Sequence, residues 1–76
     1  MEDLLRSLVE PLVKSPEDIN IRQVQGDRAI ILELRVNPED MGRVIGKGGK
    51  RAQAIRAIMK AKGNAINERI LLDIVD

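Results

Sequence analysis

Apolar residues recur along this chain in two rhythms, and the switches between them predict the order of its elements. Leu4, Leu5, Leu8, Val9, Leu12 and Val13 keep the three-and-four spacing of a helix with one apolar face. Glu2 and Asp3 stand where the positive end of the helix dipole favours acidic side chains. Pro11 interrupts the pattern, because it lacks an N–H and crowds the carbonyl of Ser7, so a bend is expected near Ser7. Ser15-Pro16-Glu17-Asp18 predicts a short capped turn, with Ser15 as cap and Pro16 in the first position.

The rhythm then shortens to two. Ile30, Leu32, Leu34 and Val36 alternate with Ile31, Glu33, Arg35 and Asn37, which predicts a strand with one buried face. An earlier strand is less regular: Ile19 and Ile21 share a face and Val24 falls on the other, as at a sheet edge or a bulge. Gln25-Gly26-Asp27 joins the two, with the glycine expected to supply a positive φ. Arg69 to Val75 alternates again, with Ile70, Leu72 and Ile74 on one side, and makes a third strand.

Between the second and third strands the helical rhythm returns twice. Asn37-Pro38-Glu39-Asp40 sets a cap, a first-turn proline and two acidic residues in sequence, so a helix is expected to start there and run through Met41, Val44 and Ile45. Gly46 stops it. After Lys47-Gly48-Gly49 a second helix is expected from near Lys50, with Ala54, Ile55, Ile58, Met59 and Ala61 on its apolar face and Gln53, Arg56 and Lys60 opposite. Lys60, Lys62 and Gly63 are expected to end it. The order is therefore helix, strand, strand, helix, helix, strand. This is an α+β chain whose three-stranded sheet is covered by helices on one face, and 76 residues leave room for a single domain over 1–76.

Composition narrows the chemistry. With no cysteine and no histidine, disulfides, thiolate and imidazole metal sites, and the nucleophile and base pairs built on them are excluded. The hydroxyl side chains are Ser7 and Ser15 alone, and no pair of carboxylates converges in the pattern. Catalytic residues, metal and cofactor are all expected to be absent, and an enzyme is disfavoured. The first residues are acidic and no apolar run approaches the ~20 residues that span a bilayer, so a cytoplasmic location is expected.

Charge adds a direction. The net charge is only +1, yet Arg43, Lys47, Lys50, Arg51, Arg56, Lys60 and Lys62 fall in a stretch with no acidic residue. The remainder of the chain holds six of the thirteen basic residues against all twelve acidic ones, a balance of −6. Segregation of this kind presents one face to a polyanion. The glycine loop lies at its start, where backbone can approach a ligand closely and the next helix offers free N–H groups and its positive dipole end. Lys47, Lys50 and Arg51 add mobile charge, so the outline is that of a phosphate-backbone clamp. A Walker A loop is excluded by spacing, since Gly42 to Gly46 encloses three residues and Lys47 precedes Gly48. A dinucleotide fingerprint would need the glycines directly after a strand and a larger parallel unit.

Arg43-Val44-Ile45-Gly46-Lys47-Gly48-Gly49-Lys50-Arg51, with Ala54-Ile55-Arg56 after it, closely resembles the core of KH domains, where a GxxG loop between two helices clamps the backbone of about four nucleotides. The element order is similar to the type II arrangement, across essentially the whole chain. More narrowly it resembles the small bacterial single-KH proteins of the KhpA-like family. The resemblance implies a cytoplasmic protein that binds single-stranded RNA, acts as a post-transcriptional regulator or RNA chaperone linked to cell elongation and division, forms a homodimer and pairs with a larger KH-containing protein.

Carried onto this chain, the resemblance makes Gly46, Lys47, Gly48 and Gly49 the backbone-contacting loop, flanked by Lys50 and Arg51. Ile45 and Ala54 would form an aliphatic floor for the bases, Arg43 its rim, and Gly63 to Asn67 the loop closing the other side. Ala52 departs from the branched aliphatic residue common at that position and implies a shallower floor. The chain has no Phe, Tyr or Trp, so stacking worth ~1–3 kcal/mol per base is missing and a lone copy should bind weakly. The rival reading is a KH-shaped interaction or dimerisation module without a nucleic-acid role. For a dimer surface, Met41, Ile66 and Val75 stand near element ends, where burial within one copy is least secure.

Overall fold

In the computed structural model, which describes residues 1–75, the six elements occur in the expected order: α1 (Glu2–Val9), β1 (Asn20–Gln25), β2 (Ile30–Arg35), α2 (Met41–Ile45), α3 (Lys50–Ala65) and β3 (Ile70–Ile74). The sheet runs β1-β2-β3, antiparallel in the hairpin and parallel between β2 and β3, with Ile30 opposite Ile70 and Leu34 opposite Ile74. Parallel pairing requires a crossover, and α2 and α3 supply it. Leu5 and Val9 of α1, Val44 of α2, and Ile55 and Met59 of α3 pack with Ile30, Leu32, Leu34 and Ile70 in one core on the helix side of the sheet. Burying each such side chain contributes roughly 1.5–3 kcal/mol. Val36 joins them, as the alternation in the second strand predicts. No helix is long and apolar enough to cross a membrane among the described residues.

Several local expectations are corrected. The bend expected near Ser7 falls later: α1 stays regular to Val9, where the Glu10 N–H still reaches the Arg6 carbonyl, and a tighter 3-10 turn, Glu10–Leu12, takes over. Pro11 has no N–H to continue the ladder, so the change of helix type absorbs it. Ser15 precedes the turn Pro16–Asp18, but its side chain makes no capping bond. Its backbone N–H instead donates to Asp40. Asn37 does cap, its Oδ1 accepting the Glu39 N–H at 2.8 Å.

Gly26 does not have a positive φ; its N–H donates to the Ala29 carbonyl at 2.8 Å, and an added Cβ would stand 3.1 Å from that oxygen, so tightness is what selects glycine. β1 pairs without a bulge along its whole length and is an edge strand, which accounts for its irregular pattern.

The largest correction concerns α3. Its buried residues are Ala52, Ile55, Met59 and Gly63, whereas Ala54, Ile58 and Ala61 are exposed. Both sets keep helical spacing and lie on opposite sides of the helix. Gly63 is no stop signal either, for α3 continues to Ala65 and ends in a Schellman motif. Glu68 N–H donates to the Gly63 carbonyl at 2.7 Å and Asn67 N–H to that of Asn64 at 3.3 Å, with Asn67 left-handed at φ 60°. A Cβ on Gly63 would come within 2.5 Å of the Glu68 carbonyl oxygen, so glycine is required by close approach.

Candidate nucleic-acid interface

The loop is built from backbone that side-chain-bearing residues avoid. Gly46 sits at φ 76°, ψ 172°, Gly48 at φ 65°, ψ 18° and Gly49 at φ 76°, ψ 8°. The three do different work. A Cβ on Gly46 would lie 2.6 Å from that of Arg51, so this glycine lets α2 and α3 touch; at Gly48 and Gly49 nothing stands within 4 Å, so they present bare backbone outward. Inside the loop, the Gly46 N–H donates to Gly42, that of Gly49 to Gly46 and that of Lys50 to Lys47. Lys50 is the first residue of α3, and its amide finds this acceptor outside its own helix, where the first turn offers none.

Beside the loop opens a groove of about 240 Å³. Met41 and Ile45 of α2 form one wall. Gly49, Ala52, Gln53 and Arg56 line the α3 side, and Ile74 closes it from β3. Arg56 reaches across, its Nε donating to the Leu72 carbonyl at 3.4 Å. Lys47, Lys50 and Arg56 make no ion pair within 4 Å among the described residues, so their charge is available to a ligand.

The structure gathers Ile45, Gly46, Lys47, Gly48, Gly49 and Lys50 at this place. It does not bring Ala54 there. Ala54 is exposed and turned about 200° around α3 from Ala52, at 100° per residue, so Ala52 and Gln53 take the floor position expected of it. Nor do residues 63–67 close the groove: 63–65 are helical, and Asn64 and Asn67 line a separate cavity further along α3.

Arg51 and Arg43 are tied into the scaffold. The Arg51 guanidinium donates to the Arg43 carbonyl, cinching the first turn of α3 onto the last turn of α2 behind the loop. Arg43 Nε lies 3.6 Å from Asp40 Oδ1. Asp40 itself, 2% exposed, accepts the backbone N–H groups of Lys14 at 3.1 Å and Ser15 at 3.0 Å. Asp40 was legible only as an acidic residue in the first turn of its helix, and nothing in spacing pairs it with Lys14 and Ser15, 26 and 25 positions earlier. Gln53 and Arg56 were readable, since they follow Gly49 by four and seven residues on one helical face.

A family profile described as "KhpA/KhpB, KH domain" matches residues 2–74. A protein named "RNA-binding protein KhpA" from Clostridium perfringens (strain 13 / Type A) is 44% identical over 75 residues, covering 99% of this chain and 100% of its own. One of the same name from Listeria monocytogenes serovar 1/2a is 45% identical over 76 residues, with 100% of both chains covered. A third, from Aquifex aeolicus, is 33% identical over 76 residues, covering all of this chain and 96% of its own. None of these names is that of an enzyme. A helix and two strands before the pair of helices that flank the glycine loop, and one strand after them, give the type II arrangement of the KH fold. With a profile match over nearly its full length and relatives aligned end to end, this chain belongs to the KhpA/KhpB KH-domain family.

Proposed function

We propose that this protein binds single-stranded RNA, with the sugar-phosphate backbone held against Gly46, Lys47, Gly48 and Gly49 and the bases lying in the adjoining groove. The observation that carries this reading is the pairing of outward-facing, side-chain-free loop backbone with unpaired cations beside an aliphatic groove. Relatives named as RNA-binding proteins support it. Lys47, Lys50 and Arg56 contact phosphate, Ile45 and Ala52 underlie the bases, and Arg43 forms the rim. Arg51 acts through the loop it cinches. The resemblance extends the proposal to a cytoplasmic regulator or RNA chaperone linked to cell elongation and division, and the pairing of KhpA with KhpB in the family description supports a larger KH-containing partner.

Salt separates contact from positioning. Each phosphate neutralised on a single strand contributes about −0.7 to the slope of log affinity against log salt. Lys50→Ala and Arg56→Ala should each flatten that slope by about this amount. Arg51→Ala should weaken binding without changing the slope, and Arg6→Ala should do neither. Equal effects from all four in gel-shift titrations would mean general charge attraction and sink the groove assignment.

The homodimer finds support in α3. Ala54, Ile58, Ala61 and Ala65 form an exposed apolar stripe at helical spacing, with Ile58 43% and Ile66 42% exposed. Met41 and Val75, by contrast, are partly buried within one copy. If two copies pack through the stripe, the melting temperature of the parent rises with concentration by mass action and that of Ile58→Lys does not. A parent melting temperature constant over a hundredfold dilution, with a monomer mass by ultracentrifugation, would remove the dimer.

A further inference from the structure

We propose that the free edge of β1 is a docking site for an extended segment of a partner protein, which adds to the sheet as a fourth strand and sets an acidic side chain opposite Arg22.

The ladder shows which backbone groups this edge offers. The Gly26 N–H donates to the Ala29 carbonyl, so by two-residue alternation Val24, Arg22 and Asn20 exchange bonds with Ile31, Glu33 and Arg35. β2 agrees from its other side, where Ile30 donates to the Arg69 carbonyl and the Leu34 carbonyl accepts from Val75. The N–H and C=O groups of Ile21, Gln23 and Gln25 therefore point away from the sheet. Neither loop backbone nor a side chain engages any of these six groups among the described residues.

Sheet edges are usually blunted by a proline, a lysine, a bulge or a covering helix. β1 has no proline or lysine, pairs without a bulge for six residues, and leaves Gln23 and Gln25 exposed on the helix side. The other edge strand, β3, is already engaged at its centre, where the Leu72 carbonyl takes Arg56.

Charge selects the occupant. On the open face Arg22 stands beside the edge with its side chain 69% exposed, and Arg35 is exposed next to it. Glu33 lies 3.7 Å from the first and 3.9 Å from the second, its side chain only 24% exposed and its Oε1 shut off from solvent. An incoming strand thus meets a cationic surface. Residues directly opposite in an antiparallel pair bring their Cβ atoms within ~5 Å, so an acidic residue facing Arg22 completes a cross-strand ion pair, and a β-branched residue two places earlier meets Val24. A second copy fits this edge poorly. The two-fold register that uses all six groups passes through Gln23, sets Arg22 against Val24 and places no acid opposite it. β2 separates the edge from β3 and its groove, about 10 Å of sheet at ~4.8 Å per strand, so a partner here and a ligand there do not overlap.

The test is an NMR titration with two blocked peptides, TVTEVT and TVTKVT, which differ only at the residue that faces Arg22 in the antiparallel register. The first should shift the amides of Ile21, Gln23 and Gln25, slow their hydrogen exchange, and bind about fivefold tighter than the second. Gln23→Pro removes an outward N–H at a position where an edge strand tolerates proline, and should abolish binding of both peptides while the circular dichroism spectrum stays that of the parent. Arg22→Gln keeps the edge and carries the test should the proline variant fold poorly; it should reduce the preference for TVTEVT to about twofold or less. Shifts confined to other residues, equal affinity of the parent for the two peptides, or undiminished binding by a folded Gln23→Pro would overturn the docking site. Slowed exchange at the same three amides on raising protein concentration without peptide would assign the edge to a second copy and overturn it as well.

Discussion

Replacing Lys47 and Gly48 together by Asp should abolish detectable RNA binding while leaving the circular dichroism spectrum and core packing close to those of the parent. The change replaces one positive charge by two negative ones at the point where loop backbone faces outward. Both residues are exposed, and an added Cβ at Gly48 meets nothing within 4 Å. The strain of a left-handed Asp is of order 1–2 kcal/mol, and Asp is among the residues that tolerate that region best. Loss of one phosphate contact and the creation of two repulsions should exceed about 3 kcal/mol, a reduction of more than a hundredfold. Retained affinity with an unchanged spectrum would take the loop out of the binding site.

Asp40→Ala should be the most damaging single substitution outside the hydrophobic core. Its carboxylate ties Lys14 and Ser15, just beyond the first helical segment, to the start of α2, through two backbone N–H groups donated across 26 and 25 residues. Truncation leaves both donors without their acceptor and also removes the partner of Arg43. Each unmade bond of this kind costs ~1–3 kcal/mol, so a loss of about 3–5 kcal/mol is expected in urea titration. Small scaffolds hold little more than that in reserve, and the variant should be largely unfolded at room temperature. Asp40→Asn keeps one acceptor oxygen and should lose about half as much. A loss below about 1 kcal/mol for the alanine variant would show that this tie does not hold the fold.

What the sequence discloses and what it hides differ for physical reasons. The order of elements, the buried row from Ile30 to Val36 and the cap at Asn37 were legible because each depends on neighbours within a few positions. The orientation of α3 was not. Two apolar sets share its surface, 52/55/59/63 and 54/58/61/65, and the first contains an alanine and a glycine whose burial depends on what packs opposite. Gly63 resembles a helix terminator by residue type, yet it is selected by the Glu68 carbonyl, which folding brings beside it. At the candidate site, glycines and charges announce themselves locally. The tie from Arg51 to Arg43 and the transverse reach of Arg56 to Leu72 need the third dimension, and so did the displacement of Ala54 from the floor.

The parallel pairing of β2 with β3 couples the candidate groove to the history of the chain. Ile30 meets Ile70 across 40 residues, so this ladder closes the largest loop in the sheet and has the highest entropic cost of any strand pairing here. The hairpin and the helical crossover are local by comparison and can form before it. One wall of the groove is Ile74, and the latch for Arg56 is the Leu72 carbonyl, both supplied by that last strand. During synthesis the glycine loop therefore exists well before the cleft beside it, and a nascent chain that has not yet delivered residues 70–74 carries the charge of a nucleic-acid binder without its shape. Competence arrives with residues 70–74, and because ligand then favours only the completed state, occupancy feeds back on the strand that docks last.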